Sequence, residues 1–167
     1  MGDPSFMEES LTEVRDNLGF TPKRILDFGY GWGESSRLWL KWFPEASVTC
    51  CDPLPQGEFR GVDPVAKLSK ETLKRWTFIN EPAETVLTSD IEPFDLIFND
   101  ADHEYGHTLE QFYMSWEKLT IGGVMSGHDY LLTGVRRAIV QFSRRYDKKY
   151  TVFTHDMGCW MFEPKAD

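Results

Sequence analysis

Two rhythms of apolar residues alternate along this chain. Short, nearly unbroken apolar runs read as buried strands, and stretches whose apolar positions recur every three or four residues read as amphipathic helices. Strands are predicted at 24–28 (RILDF), 47–52 (SVTCCD), 77–80 (TFIN), 94–99 (FDLIFN), 123–127 (GVMSG), 150–154 (YTVFT) and 159–163 (CWMFE). Helices are predicted at 5–18, 33–43, 63–75, 82–88, 104–118 and 133–146. In the fifth, Tyr105, Leu109, Phe112, Tyr113 and Trp116 share one face. Strand and helix in regular alternation imply an α/β domain with a mostly parallel sheet. The segment HDMG between the last two strands reads as a hairpin turn, so the series closes with an antiparallel pair.

Composition narrows this to one domain. The 167 residues suit a single core, and no repeat, low-complexity tract or long linker divides them. Residues 1–167 are therefore expected to form one domain, with a helix inside the first 20. No apolar run reaches the roughly 18 residues of a membrane span. The N-terminal stretch has neither a basic start nor an apolar signal core. Cys50, Cys51 and Cys159 lack metal-ligand spacing and read as reduced thiols. The expectation is a cytoplasmic protein with no membrane partner. A net charge of −9 argues against nucleic acid. The basic stretch 135–149 places Val135, Ala138, Ile139, Phe142 and Tyr146 at helical spacing, which leaves its arginines mostly on a solvated face.

The first strand runs into DFGYGWGESS, residues 27–36, where Gly29, Gly31 and Gly33 precede a helix. A nucleotide-type ligand approaches the backbone at this place in a doubly wound sheet. The dinucleotide pattern G-x-G-x-x-G fails at Glu34, whose carboxylate would repel a pyrophosphate at a helix N-terminus. A ligand without pyrophosphate fits better. S-adenosylmethionine is one: its amino group can pair with Asp27, and its carboxylate can meet backbone N–H groups. The plainer alternative is a tight turn. Asp52 ends the second strand, where an acid hydrogen-bonds ribose hydroxyls or simply stands solvated. After the third strand, Glu81, Ala83 and Glu84 reach the region where adenine would lie. Trp32 either packs on the ligand or on the loop itself.

The fourth strand ends in FNDADHEYGH, and the fifth leads into GHDY. With DFGYGWG and Asp52, these segments give residues 22–163 a resemblance to class I S-adenosylmethionine-dependent methyltransferases. They look like a small bacterial subgroup with D-x-D-H-x-Y and G-H-D strand ends, similar to metal-dependent O-methyltransferases. The resemblance implies a Rossmann-like, doubly wound domain whose mostly parallel seven-stranded sheet has an antiparallel last strand. It also implies a divalent cation at Asp100, His128 and Asp129. Oxygen ligands suit Mg²⁺, and the imidazole moves the preference toward Mn²⁺, Fe²⁺ or Zn²⁺. His103 occupies the position of a catalytic base in such enzymes and reads equally as a helix-start residue. Asp102 would orient His103 or replace His128 on the ion. His107 and His155 read as surface residues.

The implied activity is transfer of a methyl group to a hydroxylated small molecule, with Asp27, Gly29, Gly31, Gly33, Asp52, Ala83, Glu84 and Asp100 around the cofactor. The alternative is a methyltransferase fold that binds S-adenosylmethionine or a partner without methyl transfer. Base-methylating enzymes carry an N-P-P-Y-like or Pro-Cys segment that is missing here. The short connection from Tyr130 to Val135 leaves three readings: a small acceptor, a homo-oligomer whose neighbour completes the pocket, or poor turnover.

Overall fold

The computed structural model describes residues 4–56, 63 and 65–167. Its strands are β1 (Arg24–Phe28), β2 (Ser47–Cys51), β3 (Trp76–Ile79), β4 (Phe94–Asn99), β5 (Leu119–Gly127), β6 (Tyr150–Phe153) and β7 (Cys159–Phe162). The helices are α1 (Pro4–Asn17), α2 (Glu34–Trp42), α3 (Lys70–Leu73), α4 (Ala83–Thr88), α5 (Tyr105–Lys118) and α6 (Thr133–Tyr146). One sheet runs β3-β2-β1-β4-β5-β7-β6. β7 runs antiparallel to both β5 and β6, as the sequence pattern implies, and the other pairs are parallel.

Strand alternation sorts β1 between two cores. Ile25 packs with α1 and α2 through Leu11, Val14, Leu38 and Trp39. Leu26 and Phe28 pack into the opposite layer with Phe112, Ile139 and Trp160. Full burial of side chains this size contributes roughly 1.5–3 kcal/mol each, so both layers hold the sheet. Asp27 shares the parity of Ile25 and therefore points toward α2, where it is fully buried.

Two predicted elements differ. The helix expected at 63–75, partly outside the described residues, is instead a 3₁₀ turn at Val65–Lys67 followed by the single turn of α3. Ser69, with ψ 151, breaks the run, and its side chain caps α3 by accepting from Thr72 N. Strand β5 starts at Leu119 rather than Gly123, with a register shift against β4 between Phe94 and Leu96. Gly122, at φ 81, supplies a backbone conformation unfavourable for other residues.

Among the described residues, no helix is long and apolar enough to cross a membrane. The strand order reverses between β1 and β4, and the crevice outside their carboxyl ends is where a doubly wound sheet takes its ligand.

Candidate functional site

The two strand ends at the reversal are locked together. Asp100 N donates to Phe28 O at 3.1 Å, and Gly29 N donates to Cys51 O at 3.0 Å. A Cβ on Gly29 would lie 2.0 Å from Asp100 O, and its φ of +81 is one that side-chain-bearing residues rarely adopt. Glycine is required here by both conformation and space. Gly31, at φ +47, faces open space instead. Gly33 caps α2 against the Tyr30 ring.

A cavity of about 910 Å³ opens over these ends. Of the residues expected to meet the cofactor, Gly29, Gly31, Asp52, Ala83, Glu84 and Asp100 line it, and Trp32 does also. Asp27, Gly33 and Glu81 are not among the lining residues. Asp27 Oδ2 instead accepts from Ser35 Oγ at 2.9 Å and Ser36 Oγ at 2.6 Å. Its other oxygen is buried without a partner among the described residues, and burial pushes the carboxyl up to about 7 against those two hydrogen bonds. Asp27 thus ties β1 to the first turn of α2. Glu34, the residue that spoils the dinucleotide pattern, is held by Arg37 Nε at 2.9 Å.

Asp52 has taken up backbone donors on both oxygens. Oδ2 accepts from Tyr30 N at 2.8 Å and Gly31 N at 3.4 Å, while Oδ1 accepts from Leu54 N at 2.8 Å. It therefore organises the glycine loop as well as lining the cavity.

Asp100, His103 and Asp129 bring one donor atom each within 4.8 Å of one another. His103 Nε2 lies 2.7 Å from Asp129 Oδ2. The expected donor His128 stands beside this group, its Nδ1 3.3 Å from Asp129 Oδ1 and 3.9 Å from Asp100 Oδ1. His128 follows the end of β5 and is only 6% exposed, and Asp129 adopts φ 60. Asp102 pairs with His107 Nδ1 at 3.1 Å rather than with His103, and His107 is exposed as expected while standing on the lining of the cavity.

The charges agree with this layout. Burial pushes Asp100 up to about 8, with His128 opposing and Asp129 adding to the rise. Burial also acts to raise Asp129, but hydrogen bonds from His103 and His128 outweigh it and hold the carboxyl below its usual range. The bond to Asp129 raises His103. Two carboxylates and an imidazole make a donor set for a divalent transition metal, and the spacing fits one ion.

The missed residues include Gln111 and Asp156, which line the cavity from α5 and from the β6–β7 turn. Gln111 sits on a polar strip of α5 between its apolar positions, and Asp156 belongs to the hairpin turn, so neither carries a motif.

No protein of curated function matches the chain in sequence. Among solved structures, cofactor-bound Rv0187 from MTB is 15% identical with a TM-score of 0.74, over 100% of this chain and 82% of that one. The O-methyltransferase TomG from Streptomyces achromogenes, in complex with SAM, is 17% identical with a TM-score of 0.70, over 99% and 82%. SAH-bound methyltransferase PaMTH1 from Podospora anserina is 19% identical with a TM-score of 0.65, over 99% and 80%. At such identities the likeness establishes the fold. The family described as "Methyltransferase domain" matches residues 26–130, a span that starts inside β1 and runs past Asp129. With the glycine loop, the crevice and the sheet order all inside or beside that span, the chain belongs to the methyltransferase-domain family.

Proposed function

We propose that this protein transfers a methyl group from S-adenosylmethionine to a hydroxyl of a small molecule, with a divalent cation held by Asp100, His103 and Asp129. The observation that carries the reading is the convergence of these three donors within 4.8 Å beside the strand reversal of a methyltransferase fold. Gly29 and Gly31 let the cofactor approach the backbone, Asp52 faces the ribose, and Ala83 with Glu84 flanks the adenine. The ion, when bound, acts as a Lewis acid that lowers the pKa of a hydroxyl and orients it. Because His103 serves as a donor through Nε2, that same atom does not take the acceptor's proton. This replaces the base role expected from sequence.

The lining also bears on the acceptor. Seven carboxylates and no lysine or arginine line the cavity among the described residues. Away from the proposed ion, a phosphorylated or carboxylated part of the acceptor would be repelled, and a neutral or amine-bearing one favoured. The hydroxylated acceptor we favour is therefore uncharged or cationic in that part.

Calorimetry on metal-stripped protein tests the reading: micromolar binding of S-adenosylmethionine, none of NAD⁺, and a further heat on adding Mn²⁺ are expected. Absence of S-adenosylmethionine binding would sink it. The second reading, a fold that binds the cofactor without turnover, draws on the short connection between β5 and α6, where Leu131 is 55% exposed. It would prevail if cofactor binding persisted while neutral, amine-bearing and anionic hydroxylated probes all went unmethylated.

A further inference from the structure

A row of buried amides runs inward from the cavity wall. Gln111 on α5 is 4% exposed, yet both ends of its side chain are used. Nε2 donates to Glu84 Oε1 at 2.8 Å, and Oε1 accepts from Asn99 Nδ2 at 3.1 Å. The direction of this row is forced. An ionised carboxylate only accepts, so Gln111 turns its NH₂ toward Glu84, its carbonyl faces Asn99, and Asn99 turns its own NH₂ inward. Asn99 is also 4% exposed and is pinned in turn, its backbone oxygen accepting from His128 N at 3.1 Å.

The far end of the row opens into the cavity. Glu84 stands in the first turn of α4, half-buried, and lines the cavity next to Ala83. Oε1 is held by Gln111, and Oε2 has no hydrogen-bond partner among the described residues. The wall beyond β3 therefore presents one carboxylate held in place through its other oxygen. Adenine offers an amino donor at C6. Hypoxanthine offers a carbonyl oxygen there and an N–H at the neighbouring N1, so a fixed acceptor distinguishes the two, whereas a swinging one could move to N1.

We propose that Gln111 is a specificity-determining positioning residue, which fixes Glu84 so that its free oxygen selects the adenine amine over a purine 6-carbonyl. This rests on the cofactor reading above. A bond from an amide to a carboxylate is charge-assisted and directional, which suits it to holding one geometry.

The test is calorimetric binding of S-adenosylhomocysteine and S-inosylhomocysteine to the wild type, Gln111→Met and Gln111→Glu, each checked by melting curve. Gln111→Glu keeps an acceptor for Asn99 but sets a second carboxyl against Glu84 in place of the amide donor, which drives Glu84 from its fixed geometry, so it carries the test if Gln111→Met does not fold. The wild type should favour the adenosyl compound by at least about tenfold, and the variants should reduce that ratio to about threefold or less. An unchanged ratio in the folded variants overturns the proposal and leaves Gln111 a packing residue. Failure of the wild type to bind either compound overturns the cofactor reading itself, a result distinct from an unchanged ratio.

Discussion

His103 Nε2 and Asp129 Oδ2 are 2.7 Å apart, although one follows β4 and the other follows β5. Their meeting depends on a close packing elsewhere. A Cβ on Gly134, at the start of α6, would fall 2.0 Å from the His103 carbonyl oxygen, so α6 presses directly on the His103 backbone. Helix, histidine and aspartate form one assembly.

Removing a donor from that assembly should cost the ion before it costs the cofactor. Asp100→Ala and His103→Ala are each expected to weaken Mn²⁺ binding by more than about tenfold. Binding of S-adenosylhomocysteine to His103→Ala should stay near wild type. Electron paramagnetic resonance of Mn²⁺ with parallel calorimetry reads both. Full Mn²⁺ affinity in His103→Ala would return that residue to the role of base.

Two glycines should prove intolerant. Gly29→Ala combines a left-handed backbone with a Cβ 2.0 Å from Asp100 O, and strain of this kind costs roughly 1–3 kcal/mol. At this chain length that is a fall of several degrees in Tm, about 2–4 °C per kcal/mol. Gly134→Ala should also lower Tm and, by displacing His103, weaken Mn²⁺ binding. Gly31→Ala meets no neighbour within 4 Å, so any loss should come from its positive φ alone. Thermal denaturation of the three variants side by side gives the ranking.

Stability should fall on the alkaline side through Asp27. Burial raises its carboxyl from the ordinary 3.8 to about 7, so the folded state holds a proton that the unfolded state releases. Its stabilising contribution is complete below the ordinary value and is lost as pH rises through about 7. Asp27→Asn can still accept from Ser35 and Ser36 and no longer ionises. The variant should match the wild type near pH 4 and exceed it near pH 8 in urea midpoint. Parallel curves for the two proteins would mean that Asp27 stays charged.

Asp52 has a double duty that substitution can separate. Asp52→Ala removes acceptors from Tyr30, Gly31 and Leu54 and should weaken S-adenosylhomocysteine binding by roughly tenfold or more. Asp52→Asn retains one acceptor oxygen and should fall between. Equal affinity in all three would remove Asp52 from the cofactor site.

Much of this was legible in the chain because burial imposes a period. β1 and β4 keep the predicted bounds, and the antiparallel close was implied by HDMG between two apolar runs. Where the sequence reading failed, the deciding contact was polar and left no trace in the apolar pattern. Ser69 split a predicted helix by capping Thr72, a choice that helical periodicity does not register. Asp27 was expected to face a ligand and faces α2, as the parity of Ile25 on the same strand would have indicated. His103 joins Asp100 and Asp129 in a donor group beside the expected His128, and α6 bears on its backbone. Strand-end motifs identify which groups meet, and backbone conformation decides which atoms do.

The late strand β7 has a consequence for the order in which the molecule is made. β6 has no sheet neighbour except β7, and β7 fills the gap beside β5. Trp160 on β7 donates its indole N–H to the His128 carbonyl at 3.0 Å. A chain emerging from the ribosome can therefore pair β1 to β5 and shape the glycine loop while β6 still waits for a partner. The end of the crevice where we propose the ion acquires this backing only when Trp160 arrives, later in synthesis than the glycine loop where we propose the nucleoside.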